Sequence, residues 1–254
     1  MIAGAAIRVL WLREMKRFFR AKSRIAGALL QPLFFLVFLG LGFNKMPVPG
    51  MDGGMNYIRF LVPGILGMTL LFSSSWQGLS VLWDREFGFL KEIMVAPVGR
   101  MSIVIGRIAG GTTTTMIQGL LMLGLTCVFG FRPSGFLPFL WSLAFMVLIS
   151  FTFIGLGLSI ASMIKDMQGF GLIANFIMMP LFFLSGALYP LNNLPRWVRV
   201  LSYADPLTYG VDGLRGTLIG VSTFPVLFDF LITAGFAVLM IILGTVLFER
   251  SESV

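Results

Sequence analysis

Six long apolar runs without a charged residue constrain what this chain can fold into. A transmembrane α-helix needs about 20 mostly apolar residues, and each run has roughly that length. In hydrocarbon every backbone polar group must be paired, and the runs lack the alternation of barrel strands, so each run predicts a helix. We therefore predict an all-α integral membrane protein with one membrane domain over residues 1–254. The predicted spans are 25–43, 60–83, 108–131, 136–164, 170–189 and 230–248.

The composition agrees with a membrane protein and excludes several kinds of catalysis. Hydrophobic residues make up 57% of the chain and charged residues 12%. The sequence has no histidine, which excludes Ser-His and Cys-His catalysis and removes the commonest metal ligand. The one cysteine, Cys127, lies in an apolar run and cannot form an internal disulfide. We expect no catalytic site, no metal site and no bound cofactor in this chain.

The distribution of Lys and Arg predicts the orientation in the membrane. Cytoplasmic loops of membrane proteins carry an excess of these residues. With the N-terminus inside, 13 of the 19 Lys and Arg residues lie on the cytoplasmic side and six on the other side. We therefore expect a multi-pass protein of the cell (inner) membrane with both termini in the cytoplasm. The net charge of +8 then reflects topology rather than nucleic-acid binding.

The stretch 1–24, before the first apolar run, predicts an amphipathic helix on the cytoplasmic membrane surface. A cleaved signal peptide is the alternative, and it is disfavoured because the first apolar run is long enough to span. Large apolar residues share one face of the helix and basic residues the other, which suits the headgroup region. The apolar face is Trp11, Leu12, Met15, Phe18 and Phe19, and the basic face is Arg13, Lys16, Arg17 and Arg20.

The cytoplasmic loop 83–107 predicts a second amphipathic helix, over 84–96. Phe87, Leu90 and Met94 fall on one face of this helix. Pro97 ends it, because the residue before a proline avoids helical angles. A solvated connector is the alternative, and it is disfavoured since so many large apolar side chains need membrane surface or a protein partner.

The external segment 189–228 is too polar to span the bilayer. Pro195 and Pro206 each suit the first turn of a short helix, and Asp205 is a good N-cap for the second one. Trp197 and the nearby tyrosines suit the membrane interface. We expect two short helices that lie on the outer leaflet or dip into it.

Polar side chains inside the spans are few, and each is a candidate for a substrate path. No buried charge relay is evident, which argues against a proton- or sodium-coupled pump. Arg59 and Asp229 lie near the outer ends of the second and sixth spans, where interfacial snorkelling is favoured over a pair between them. The candidate path residues are Gln31, Ser74, Gln77, Gln118 and Asn175.

Two further patterns concern helix packing. The four threonines at 112–115 can bond to helical carbonyls or contact a neighbouring helix, and packing is favoured over a substrate path. The spacings Gly106 to Gly110 and Gly216 to Gly220 permit close helix contact, although so short a pattern often recurs by chance.

Two motifs and the order of the elements carry a resemblance to a known family. The loop sequence EFGFLKEIMVAPVGR is similar to the family's cytoplasmic signature. The external sequence LSGALYPLNNLPRWVRVLSYADPLTYGVDGLRG is similar to the family's segment between the fifth and sixth helices. With an amphipathic N-terminal helix and six spans, the whole chain resembles the permease subunit of a type 2 ABC exporter of the daunorubicin-resistance and nodulation-factor-export group.

The resemblance implies a half-transporter in membrane lipid that pairs with a second copy of itself and two copies of a separate ATP-binding subunit. That subunit would bind ATP and Mg²⁺, since this chain has no G-x-x-x-x-G-K-[ST] loop. The resemblance assigns the helix 84–96 as a coupling helix seated in a groove of the ATPase. The implied contacts are Glu86, Phe87, Gly88, Phe89, Leu90, Lys91 and Glu92, flanked by Arg13, Lys16 and Arg17 of the first helix.

We expect such a permease to form the translocation path for an amphiphilic or hydrophobic substrate, such as a drug, a lipid or a lipid-linked glycan, because its interior is apolar and uncharged. The alternatives are a nucleotide-independent channel, a secondary carrier, an intramembrane enzyme and a membrane scaffold that transports nothing. A channel or carrier would usually need intramembrane charges. An enzyme would need a pair such as Lys165 and Asp166, but a solvated hairpin fits these adjacent residues better.

Overall fold

The computed structural model of the protein describes residues 4–43, 56–86, 100–164 and 166–251. All regular secondary structure in these ranges is helical, which confirms the all-α class. Single turns of 3-10 helix lie at Trp76–Gly78 and Leu191–Asn193. The α-helices within these ranges are α1 (Gly4–Arg20), α2 (Lys22–Gly42), α3 (Tyr57–Ser75), α4 (Leu79–Glu86), α5 (Arg100–Val128), α6 (Phe136–Met163), α7 (Met167–Leu184), α8 (Arg196–Tyr203), α9 (Pro206–Ile219) and α10 (Val226–Ser251).

Within the described residues, six helical stretches are long and apolar enough to cross a membrane, which confirms the number of predicted spans. They are Ile25–Gly42, Tyr57–Asp84, Ser102–Val128, Phe136–Met163, Met167–Leu184 and Val226–Arg250. Because α1 precedes the first span and α9 follows the fifth, these two helices lie at opposite ends of the bundle. We call these ends the α1 end and the α9 end.

The second span is built from α3, the 3-10 turn Trp76–Gly78 and α4. Every residue from Phe60 to Leu71 is buried, because α3 packs against α2, α5, α6 and α9. The span therefore forms the centre of the bundle. Of the predicted amphipathic helix over 84–96, residues 84–86 form the end of α4, and residues 87–96 lie outside the described residues.

Two other spans differ from the apolar runs at their ends. The helix α5 begins at Arg100 rather than at 108, and it contains Arg107. The charge of Arg107 is neutralised by Asp84, whose carboxylate lies 2.6 Å from the Arg107 guanidinium. The helix α7 ends at Leu184 rather than at 189, because the chain turns at Gly186, which has a left-handed φ of 72°.

Three spans on the periphery expose large apolar side chains. In water such surfaces would be unfavourable, but they suit the hydrocarbon of a bilayer. The exposed residues include Leu30, Phe34 and Phe38 of α2, Leu172 and Phe176 of α7, and Leu231, Val238 and Ile242 of α10.

The two short helices after the fifth span have different surroundings. The helix α8 exposes Trp197 and Val200. The helix α9 is instead buried over most of its length, packed among α3, α6 and α10. Its start is as predicted, with Pro206 in the first turn and the Asp205 carboxylate accepting the Leu207 N–H at 2.9 Å.

Candidate functional site

A cavity of about 580 Å³ opens in the half of the bundle nearest the α1 end. Five parts of the chain surround it: α1, α2, the second span, α5 and α7. Its walls combine aromatic rings with carboxamide and hydroxyl groups, a mixture typical of small-molecule sites. The lining includes Glu14, Arg17 and Phe18 of α1, Gln31 of α2, Phe72, Ser73, Trp76, Gln77 and Trp83 of the second span, Thr114 and Gln118 of α5, and Asn175 of α7.

Four of the five candidate path residues meet at this cavity. They are carboxamides from four different parts of the bundle: Gln31, Gln77, Gln118 and Asn175. The fifth, Ser74, does not line it, because its side chain is fully buried and its hydroxyl lies 3.5 Å from that of Thr115. Its neighbour Ser73 takes that place in the lining.

The carboxamides give the cavity both hydrogen-bond donors and acceptors without a net charge. Gln77 already uses one donor, since its Nε2 donates to the Thr114 hydroxyl at 2.9 Å. Gln118 is almost fully buried, whereas Gln31 and Asn175 are exposed. A polar group of a bound molecule would therefore meet amides, and its apolar part would meet Phe72 and Trp76.

The threonine run joins α5 to its neighbours, in the packing role that the sequence favours. The Thr113 hydroxyl donates to the Ala109 carbonyl at 2.8 Å and accepts from Trp11 Nε1 of α1 at 3.0 Å. The Thr114 hydroxyl donates to the Gly111 carbonyl in the same way and accepts from Gln77. Because Thr114 also lines the cavity, this residue serves both packing and the cavity wall.

Close contact between α1 and α5 depends on two glycines. A Cβ added at Gly110 would lie 2.8 Å from Glu14 Cβ, and one added at Gly106 would lie 3.0 Å from Leu10 Cβ. The Gly106 to Gly110 spacing is therefore used for helix packing. The Gly216 to Gly220 spacing differs, because Gly220 has open space around it and caps α9 in a left-handed conformation.

Three helices share one ion-pair network at the α1 end. Asp84 of α4 accepts hydrogen bonds from both Arg13 of α1 and Arg107 of α5. The Asp84 and Arg107 side chains are only 5% and 10% exposed, whereas that of Arg13 is 29% exposed. Glu14, also buried, adds a second negative charge close to Arg107. The network therefore holds α1, the second span and α5 together by charge.

The residues predicted to contact an ATPase fall in two groups. Phe87, Gly88, Phe89, Leu90, Lys91 and Glu92 lie outside the described residues, and Glu86 is the last residue of α4. On α1, Lys16 is exposed, Arg13 binds Asp84, and the Arg17 guanidinium lies over the Trp83 indole at 4.7 Å. Arg17 also lines the cavity.

The sequence matches the ABC-2 type transporter family over residues 5–219. This range covers well over half of the 254 residues. The chain belongs to the ABC-2 type transporter family. It is thus the membrane subunit of a type 2 ABC transporter and a multi-pass membrane protein, as the sequence resemblance implied. Permeases of the ABC-2 family normally work with an ATP-binding subunit.

Several curated proteins are similar to this ABC-2 chain over most of their length. The inner membrane transport permease YadH of Escherichia coli (strain K12) is 25% identical over 97% of this chain and 96% of its own length. The doxorubicin resistance ABC transporter permease protein DrrC of Mycobacterium tuberculosis is 27% identical over 95% of this chain and 87% of its own. The transport permease ycf38 of Cyanophora paradoxa is 29% identical over 82% of this chain and 73% of its own.

At the α9 end, this ABC-2 permease also buries charged residues for which the sequence predicts an external segment or the membrane interface. Arg215 of α9 donates to the Gly186 carbonyl at 3.1 Å and lies 3.9 Å over the Phe60 ring. Asp212 lies one helical turn earlier. Asp229 of α10 is fully buried, whereas Arg59 is exposed, so the two do not form the pair weighed from the sequence. In the sequence, the buried charges of α9 are indicated by the spacing of Asp212 and Arg215, which puts both residues on one helical face within a glycine-rich, apolar stretch.

Proposed function

We propose that this ABC-2 permease is half of an ATP-driven exporter, in which two permease copies work with two copies of a separate ATP-binding subunit. The observation that carries the proposal is the amide-lined cavity between α2, α5 and α7. A cavity with aromatic and carboxamide walls suits an amphiphilic or hydrophobic substrate such as a drug, a lipid or a lipid-linked glycan. The name of DrrC, a doxorubicin resistance permease, supports an efflux function of this kind.

The ion-pair network supports a route by which ATP hydrolysis would reach the cavity. Asp84 lies just before the predicted coupling contacts, and it binds α1 and α5, which both line the cavity. Movement of the coupling segment by the ATPase would therefore shift α1, α4 and α5 together. On this proposal ATP and Mg²⁺ bind to the partner subunit, and Glu92→Lys or Phe87→Asp abolishes export while ATP hydrolysis continues.

The charge distribution supports a cytoplasmic location for the α1 end and for both termini. Lys16 near that end and Asn193 near the α9 end are both exposed. In a Cys127→Ser background, an impermeant thiol reagent should label Asn193→Cys from outside and Lys16→Cys only in inverted vesicles. Labelling of both variants from the same side would contradict this orientation.

Transport into inverted vesicles that contain the permease and its ATPase tests whether the substrate path runs through the cavity. Gln118→Leu should lower ATP-dependent uptake of a fluorescent amphiphile by about fivefold, since one hydrogen bond contributes about 1 kcal/mol. Gln168→Leu is the matched control, because Gln168 is an exposed glutamine of α7 that does not line the cavity. Equal uptake by the two variants would contradict a substrate path through the cavity.

A further inference from the structure

The amide-lined cavity has charged residues only at its α1 end. Among the described residues that line it, two are charged, and both belong to α1: Glu14 and Arg17. A charge beside a largely apolar cavity favours a bound group of the opposite sign. The balance between these two charges therefore decides which class of amphiphile the cavity accepts.

The negative charge of Glu14 is offset by the ion-pair network. Glu14 is 7% exposed, and it lines a small pocket of about 20 Å³ together with Arg107. Asp84 binds both arginines of the network, which are Arg13 and Arg107. With Glu14 included, the network holds two arginines and two carboxylates, so its net charge is zero.

The positive charge of Arg17 is not offset in this way. The ion pairs of the network involve Arg13 and Arg107 but not Arg17. The half-buried Arg17 guanidinium lies over the Trp83 indole at 4.7 Å, and among the described residues it donates no hydrogen bond. Stacking covers one face of the guanidinium and leaves the N–H groups at its edge free to donate. Such an edge fits a carboxylate or a phosphate, which accept two parallel hydrogen bonds.

A second observation concerns the surface next to the cavity. An open groove of about 770 Å³ follows α1 and shares Arg17 and Ala21 with the cavity. Its other described walls are apolar or basic, and none of them is acidic. They are Val9, Leu12, Arg13, Lys16 and Arg20. Charges of one sign along a groove raise the local concentration of molecules with the opposite charge, so this surface favours the approach of anions.

The depth of the cavity matches an amphiphile rather than a small anion. Trp83 at the α1 end and Phe72 are 11 positions apart in the second span, and both line the cavity. At a rise of about 1.5 Å per residue, the cavity extends about 16 Å along the span. Phe72 lies near the middle of the span Tyr57–Asp84. The cavity therefore has its cation at the α1 end and aromatic rings toward the middle of the membrane.

We propose that the cavity binds an amphiphile with an anionic head group, a carboxylate or a phosphate. The head group accepts hydrogen bonds from Arg17, and the apolar chain lies along Trp76 and Phe72. A cationic head group is disfavoured, because it would meet the uncompensated charge of Arg17. This inference rests on the proposed export function and narrows its substrate class.

The test is binding of dansyl-labelled amphiphiles to the purified full-length permease in nanodiscs of phosphatidylcholine, a lipid without net charge. Energy transfer from tryptophan to the dansyl group reports binding, since Trp76 and Trp83 line the cavity. The wild type should bind a dansyl-labelled fatty acid about tenfold more tightly than the matched trimethylammonium compound, because hydrogen bonds to charged groups are strong. This comparison needs no variant. Tighter binding of the trimethylammonium compound, lost in Glu14→Gln, would overturn the proposal.

Variants of α1 test the role of Arg17 itself. Arg17→Gln should weaken binding of the fatty acid about tenfold and leave binding of the matched uncharged alcohol unchanged. Arg17→Lys should bind the fatty acid more tightly than Arg17→Gln, because it keeps the charge. Arg8→Gln is the matched control, since Arg8 is an exposed cation of α1 that does not line the cavity. Equal weakening in Arg17→Gln and Arg8→Gln would contradict a contact with Arg17.

Two further measurements separate this inference from its alternatives. Inorganic phosphate should not displace the fatty acid, and displacement would reduce the cavity to a site for small anions. In inverted vesicles with the ATPase, ATP should drive uptake of the fatty acid. Uptake of the alcohol but not of the bound fatty acid would make the anion a resident lipid and overturn its role as substrate. Failure of uptake with every compound would instead contradict the exporter, while binding that depends on Arg17 would still hold.

Discussion

At the scale of single residues, Asp84 is the central residue of the ion-pair network. One carboxylate, 5% exposed, compensates the charges of Arg13 and Arg107 from two other helices. Removing one partner of a buried ion pair leaves the other charge uncompensated, and that cost exceeds the value of an exposed pair several-fold. Glu14 would then remain as a negative charge close to Arg107.

Asp84→Asn is expected to lower the free energy of unfolding by about 3 kcal/mol, because Arg107 is left buried without its counter-ion. Arg13→Gln is the comparison, with an expected loss of about 1 kcal/mol or less, since Arg13 is 29% exposed. Thermal or denaturant unfolding of the purified variants measures both values. Equal losses in the two variants would show that the network is not organised around the buried pair.

At the scale of elements, α1 is fixed to α5 rather than simply resting on the membrane. Leu10 and Glu14 lie against the two glycines of α5, and the Trp11 indole is bonded to Thr113. The described contacts give α1 a buried face made of Leu10, Glu14 and Met15. Any displacement of α5 during a transport cycle would carry α1 with it.

Gly110→Ala is expected to destabilise the protein by about 1 to 3 kcal/mol, because the new methyl group would overlap Glu14 near its backbone. Gly124→Ala in the same helix has open space and should instead stabilise it by up to about 1 kcal/mol, since alanine favours helix. Thermal unfolding of the two variants gives the comparison. A stabilising effect at both positions would contradict the close contact between α1 and α5.

The helix α1 also shows where sequence periodicity was insufficient. The sequence predicted an amphipathic helix whose apolar face, including Leu12 and Phe19, lies in the headgroup region, and both residues are exposed on the protein surface. The buried face includes Glu14 instead, because the neighbouring surface on α5 is narrow at its glycines and carries Arg107. A hydrophobic pattern identifies the presence of an amphipathic helix, but the chemistry of its partner decides which face is buried.

At the scale of the whole molecule, the number and type of spans followed from the sequence because bilayer thickness and backbone pairing leave few alternatives. The polar residues of the spans were also identifiable, since each is unusual in an apolar run. That Gln31, Gln77, Gln118 and Asn175 meet at one cavity, and that Ser74 does not, depends on helix rotation and packing.

The central claim is that this ABC-2 permease works as half of an ATP-driven exporter with a separate ATPase. The most direct measurement is affinity purification of the tagged chain from its native membrane in mild detergent, followed by mass spectrometry of stoichiometric partners. We predict an ATP-binding subunit in an amount equal to the permease. A permease that purifies alone, from a preparation in which known membrane complexes survive, would contradict the claim.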